Sequence, residues 1–428
     1  MKARRSSFLG TSTLVNHLGE HDHAKAAHTM PVYQTSTFGF DLDNTPPGDD
    51  STHNPDRYVY TRGGNPNARQ LARKIAHLEG RDLIAQQPNT DADAVVAAEI
   101  TASGLSAITT VAMAILSVGD TAIVQRAAYG GSLSFWDNVA PKYGINVVFV
   151  DSPAIEAWEQ AQHDNPSAKL LYVETPSTPL LEIYDLAAIS DLAHSIGAVC
   201  VVDNTAATPY HQRPLSFGVD YVIHSLSKYI NGHGLVIGGA IVSRRAEDMH
   251  VGGLIWNALV MNGATPSPHD CWLTNNGLKT LELRMKSHSS NALTLAHMLN
   301  SSHLISQVYY PGLVTVPGHA LASKQMHNGF GGLLSFEVRG GAEPALALLD
   351  NLQLPVIASS FGTTDSLIQH TDTMSHSYMT EEHRRAAGIT PGLIRMSVGI
   401  ENIEDLMTDF DQALGRLQKI YGVAALVA

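Results

Sequence analysis

The sequence predicts an α/β protein with a mostly parallel central sheet, followed by a smaller α+β domain. Three observations lead there. From about Glu99 to Ser243, helical stretches alternate with the short runs "TAIVQ", "NVVFV", "LLYVE", "AVCVVD" and "YVIHS". Runs such as "AVCVVD" are apolar almost throughout, as expected of strands covered on both faces. Beyond about Gly263 the pattern changes to long helices separated by isolated strand-like runs.

In chain order, residues 1–65 read as an arm with little periodicity. Its stretch "DLDNTPPGDDSTHNPDR" has a loop composition. A helix is predicted after "NPNAR" through "QLARKIAHLEG", with Gly80 as its stop. The run Ile100 to Gly119 is uncharged and about as long as a bilayer span, but its Ser, Thr, Ala and Gly content predicts a buried helix. In "DLAAISDLAHSIGA", Asp185 caps a helix whose stripe is Leu186, Ile189, Leu192, Ala193 and Ile196, and Gly197 ends it. After Gly263 come the helical "LKTLELRMKSHSSNALTLAHML", the strand-like "GGLLSFEV" and the helical "IEDLMTDFDQALGRLQKIYG". The predicted divisions are an arm at 1–65, an α/β domain at 66–263 and an α+β domain at 264–428.

The 428 residues are 44% hydrophobic with a net charge of −13. An acidic chain without a basic cluster argues against a nucleic-acid partner. The N-terminal "MKARRSSFLG" lacks an apolar segment of signal-peptide length, which disfavours secretion. Two distant cysteines, Cys200 and Cys271, suit a reducing cytoplasm. "HDHAKAAH" reads as a solvated arm, so no metal is expected.

Ligands of open parallel sheets sit beyond the carboxyl ends of the strands. Asp203 closes "AVCVVD", Glu174 closes "LLYVE", and Lys228 follows "YVIHS" by three residues. A carboxylate and a lysine at one rim suit pyridoxal phosphate, whose aldehyde condenses with an amine and whose ring nitrogen stays protonated beside an acid. Ser103, Gly104 and Leu105 open the uncharged helix, so their amides would face the phosphate. Singly, each group also reads as ordinary structure: Asp203 as a helix cap, "ASGL" as a plain helix entry. The set, in this order, carries the reading.

From "PVYQTSTF" near residue 31 to "LIRMSVGIENIEDL" near residue 406, the chain resembles the Cys/Met-metabolism family of pyridoxal-phosphate enzymes. The densest match runs from "ETPSTPLLEIYDL" to "VIHSLSKYINGHG". The resemblance implies fold type I, the aspartate-aminotransferase-like fold, with a mostly parallel, seven-stranded-type central sheet. It also implies that Lys228 holds the cofactor as an imine and that Asp203 keeps its ring nitrogen protonated. Gly104, Leu105, Ser225 and Ser227 would hold the phosphate, Thr205 would line the cofactor, and Tyr129 would stack on the ring and help protonate a leaving group. "YVYTRGGNPN" places Tyr60 and Arg62 where the family reaches a neighbouring subunit's phosphate, which implies shared sites in a homotetramer built as a dimer of dimers. Arg395 would grip the substrate α-carboxylate, with Ser360 assisting.

The implied activity on an amino acid is γ-elimination through a vinyl intermediate, with γ-replacement as the alternative. Departures from the family pattern bear on the substrate. Ser134 stands where cystathionine-handling relatives carry arginine, and Ser359 where they carry glutamate. Gly131 stands where methionine γ-lyases carry cysteine, and Thr178 replaces an asparagine. Asn275 and Asn276 replace an "LRG" pattern, a change expected to alter subunit packing or the site rim. A small polar pocket at Ser134 and Ser359 is therefore expected. It would suit methionine, homocysteine, or an oxygen-linked group such as that of canavanine or an acyl homoserine. A solvated loop is the expected role of the acidic stretch before Tyr60, though a carboxylate from it could also meet a cationic substrate.

Overall fold

The computed structural model describes residues 9–23, 27–39, 58–377 and 381–422. The five predicted runs are all strands: β2 (Thr121–Gln125), β3 (Asn146–Val150), β4 (Leu170–Glu174), β5 (Val199–Asp203) and β6 (Tyr221–Ser225). Two more flank them, β1 (Ala97–Thr101) and β7 (Gly239–Ser243), giving the order β1-β7-β6-β5-β4-β2-β3. Only β7 runs against its neighbours, pairing antiparallel with both β6 and β1. Every residue of β4 is buried, as a central strand between two helical layers requires.

Local chemistry sets the helix ends. The Asn65 side chain accepts from the Asn67 N–H to start the helix Pro66–Glu79, and Gly80 terminates it. Asp185 accepts from the Ala188 N–H to open Leu186–Ser195, and Gly197 follows at φ +71°. The uncharged run from Ile100 divides. Ile100 and Thr101 finish β1, Ser103 caps, and the helix spans only Gly104–Ile115. Among the described residues, no helix is long and apolar enough to cross a membrane.

The second sheet contains β8 (Ile305–Tyr309), β9 (Leu333–Val338), β10 (Val356–Ile357), β11 (Leu367–His370) and β12 (Leu393–Ser397), in the order β10-β11-β12-β9-β8. Against it lies the helix Ile403–Tyr421, which buries Leu406, Phe410, Ala413, Leu414 and Leu417 at helical spacing. The 21-residue helix Leu281–Ser301 joins the two layers. Its Leu281 and Met285 belong to the core of the large sheet, and its Ala292, Leu295, Ala296 and Leu299 to the core of the small one.

The described start of the arm is ordered against its own chain. Residues Thr11–His17 are helical, and Leu14 and Val15 are buried in the large core. Behind them Lys74, with no exposed surface, donates to the Val15 carbonyl at 2.6 Å and pairs with Glu20. Lys279 reaches the other Glu20 oxygen at 2.9 Å. Asn275 is buried here too, its Nδ2 donating to Glu20 at 3.1 Å. Asn275 thus serves an internal anchor in this chain, and Asn276 donates to the Trp272 carbonyl at 2.9 Å. The acidic stretch before Tyr60 lies outside the described residues.

Candidate active site

The carboxyl ends of β4, β5 and β6 surround a cavity of about 420 Å³. The N-terminus of the helix Gly104–Ile115 and the segment Ser360–Thr363 complete its walls. After Ser225 the backbone turns irregularly, and Lys228 breaks the helical path at φ −96°, ψ −136°. Its Nζ sits 4.9 Å from the Phe361 ring centroid and donates to the Ser360 hydroxyl. Burial, and then the nearby Arg395 charge, push the amine down to about 8. A lysine so placed is a base and nucleophile much nearer neutrality than a solvated one.

Asp203 forms the floor. Its Oδ1 accepts from the Thr205 N–H at 2.9 Å and from the Thr205 hydroxyl, whose oxygen in turn accepts the Ser225 N–H at 2.8 Å. Burial raises the Asp203 carboxyl, so a cationic ring nitrogen would find an acid that gains by pairing with it. The β4–β5 register sets Glu174 directly beside it. Burial, and then Asp203, raise Glu174 to about 7.

The phosphate end is also built. Ser103 Oγ accepts the Ser106 N–H at 3.0 Å and caps the helix. The Gly104 and Leu105 N–H groups belong to the first turn, which has no intrahelical acceptors for them. A Cβ added to Gly104 would lie 2.7 Å from Ser225 Cβ, so only glycine lets this helix start approach the end of β6. Ser225 and Ser227 line the same corner, and Ser227 Oγ accepts the Gly238 N–H at 3.0 Å. An amine, a buried carboxylate and an anion-binding helix start around one cavity fit pyridoxal phosphate.

Tyr129 stands at the mouth, 55% exposed, with its N–H donating to Glu174 at 2.7 Å. Thr178 lines the wall. Arg395, buried in β12, donates from Nη2 to the Ser360 carbonyl at 2.7 Å, and its Cζ lies 5.7 Å from the Phe361 ring. Arg395 Nε is buried and has no hydrogen-bond partner among the described residues. Ser360 itself adopts φ +95°, a rare conformation outside glycine that aims its hydroxyl and carbonyl at these two cations.

Five expected residues do not line the cavity of this chain: Arg395 lies behind its wall and meets it through the Ser360 carbonyl, and the other four lie elsewhere. Tyr60 and Arg62 pair with each other, Arg62 Cζ 5.5 Å from the Tyr60 ring, beside a separate depression with Thr265 and Pro268. Ser134 and Ser359 are exposed and contribute nothing to the cavity lining. The expected small polar pocket is thus absent from that lining, where Val236, Ile237 and Phe361 present apolar surface. Glu174 joins this lining beyond the expected set. Two equally long strands each closing on an acid were the available signal. Among the described residues no group of three or more His, Cys, Asp or Glu could hold a metal.

Residues 12–415 match the family described as Cys/Met metabolism PLP-dependent enzyme. The chain is 41% identical over 411 residues to the L-methionine gamma-lyase of Fusobacterium nucleatum subsp. polymorphum, covering 95% of this chain and 98% of that one. It is 39% identical over 359 residues to the O-succinylhomoserine sulfhydrylase of Pseudomonas aeruginosa, covering 84% of each. The crystal structure of cystathionine gamma synthase from Xanthomonas oryzae pv. oryzae, in complex with aminoacrylate and cysteine, superposes with a TM-score of 0.86 at 39% identity, covering 96% of this chain and 99% of that one. A lysine, an aspartate and a helix start gathered at one sheet edge, in a sequence matched along nearly its whole length, make this chain a member of the Cys/Met metabolism family of PLP-dependent enzymes.

Proposed function

We propose that the protein is a γ-lyase that removes the γ-substituent of an L-amino acid, methionine- or homocysteine-like or an oxygen-linked analogue, and releases a 2-oxo acid and ammonia. The observation that carries this reading is the position of Lys228. Its lowered amine donates to Ser360, whose carbonyl holds Arg395, in the cavity floored by Asp203, so one base would face both the cofactor ring and the substrate carboxylate. Pyridoxal phosphate, when bound, draws electrons from the substrate's α-carbon and so acidifies its neighbouring C–H bonds. Asp203 would keep the ring nitrogen protonated, Gly104, Leu105, Ser225 and Ser227 would hold the phosphate, and Thr205 steadies Asp203. Arg395 pairs with the α-carboxylate, assisted by Ser360. Lys228 takes the α-proton, and Tyr129 at the mouth delivers one to the departing group.

The apolar Phe361, Val236 and Ile237 support an alkylthio substituent over a second amino-acid head group, whose charges would go unpaired there. The likeness to the Fusobacterium L-methionine gamma-lyase supports the same reading. A second reading, γ-replacement, draws on the likeness to the sulfhydrylase and the synthase. Measuring 2-oxobutanoate and ammonia from methionine, homocysteine, cystathionine, canavanine and acyl homoserines separates the two. Release without added thiol is expected; a thioether formed only when thiol is supplied would reject elimination.

The proposed setting is a cytoplasmic homotetramer, consistent with two buried free cysteines. Residues 66–263 would form the cofactor domain and 264–428 the second domain. Tyr60 and Arg62 from the arm would serve a neighbour's phosphate, which accounts for a half-exposed Tyr60 remote from this chain's own cavity. Sizing by light scattering, together with loss of cofactor from R62A, tests that arrangement.

A further inference from the structure

We propose that Glu174 is a positioning residue for Tyr129: its carboxylate holds the Tyr129 backbone N–H and thereby sets where the phenol stands at the cavity mouth. The role given to Tyr129 rests on the γ-lyase reading above. Tyr129 has little else to hold it. It is largely exposed and precedes a five-residue helical segment, Gly130–Ser134, that has no side-chain cap. Its carbonyl accepts the Leu133 N–H at 2.9 Å, and its ring lies against Gly131, where an added Cβ would sit 2.4 Å from the ring. Its N–H goes to Glu174 Oε2 at 2.7 Å.

Glu174 is in turn rigidly held. It is 7% exposed, Tyr172 donates its hydroxyl to Oε1 at 2.9 Å, and the Glu174 N–H is taken by Gln125 at 2.8 Å. The groups that act on Glu174 are Asp203, Ser132, Tyr129 and Tyr172, none of them a cation, and Asp203 stands beside it in register. An acid buried next to another acid contributes nothing to stability through its charge. Its use is the pair of acceptors it offers, one to the strand and one to Tyr129. A glutamine keeps an acceptor for Tyr129, and a leucine of similar length keeps none.

The test compares Glu174→Gln and Glu174→Leu with the parent holoenzyme by amide hydrogen exchange, steady-state kinetics and thermal melting. Glu174→Leu is expected to speed exchange in the peptide Arg126–Leu133 at least ten-fold. It should lower kcat about ten-fold or more while KM stays within three-fold. Glu174→Gln should remain within three-fold of the parent on every measure and melt at the same or a higher temperature. Parent-like exchange and kcat in Glu174→Leu would overturn the proposal, as would equal impairment of both variants. Exchange reports the Glu174–Tyr129 link even if no amino acid is turned over, so failure of this inference and failure of the γ-lyase reading are separately visible.

Discussion

The N-terminal anchor and the cavity floor both bury carboxylates, yet they are completed differently. At the anchor, Glu20 meets Lys74, Lys279 and Asn275, and Lys74 spends a further hydrogen on the Val15 carbonyl. Burial opposes the ionisation of Glu20, but the two lysines outweigh it and hold its carboxyl below the usual range. At the floor, Asp203 and Glu174 have only hydroxyl and N–H partners within hydrogen-bond reach, and burial raises both. On the opposite wall, Lys228 is lowered and Arg395 keeps an unpartnered Nε. Charges closed off within the chain hold the fold together; charges left open around a cavity are held ready for a ligand that completes them.

Removing the amine breaks the open set most severely. Lys228→Ala should lose the visible absorption band, incorporate no label at 228 on borohydride treatment, and lose turnover by about 10⁴-fold or more. Its melting temperature should hold or rise, because the lysine amine is buried at an energetic cost. Breaking the closed set should do the reverse. Glu20→Gln leaves Lys74 and Lys279 without their anion and should cost about 3–5 kcal/mol in urea unfolding, with kcat of the folded fraction unchanged. The Glu20 contribution has a definite pH sense. With a folded-state value below the ordinary 4.5, it is fully present above that pH and is lost as pH falls through the lower, folded value.

The open set can be sharpened by titration. Only the neutral Lys228 amine condenses with the aldehyde, so reconstitution of cofactor-free protein should speed up about ten-fold per pH unit below about 8 and level off above it. A rate still climbing at that slope past pH 9 would remove the lowered amine from the comparison. The smallest effect is expected at Ser134 and Ser359. Alanine at either exposed position should change kcat/KM by less than about two-fold, a shift within the ±0.5 kcal/mol usual for surface changes. A ten-fold loss would restore the polar-pocket reading.

Much of this was legible before any coordinates. Asn65, Gly80, Asp185 and Gly197 act on backbone groups within a few residues, so their helix ends could be read directly. The helix Ile403–Tyr421 announced itself by its apolar stripe. The strands β1 and β7 were harder, because β1 merges with the uncharged run that also contains the next helix. The short β10 and β11 carry too few residues for a period to show. The contact of Asn275 with Glu20 was out of reach for another reason: the two lie 255 positions apart.

The alternation of β2 to β6 with helices, the lysine three residues past its strand and the helix entry at Ser103 to Leu105 follow from the sequence alone, because each depends on periodicity or on groups that lie within a few residues of one another. Tertiary structure decided that Glu174 stands beside Asp203 and supports Tyr129, that Arg395 reaches Ser360, and that Ser134 stays outside the cavity. Those relations depend on which strands pair and in what register, a choice made by the burial of the whole core, which no short stretch of chain encodes.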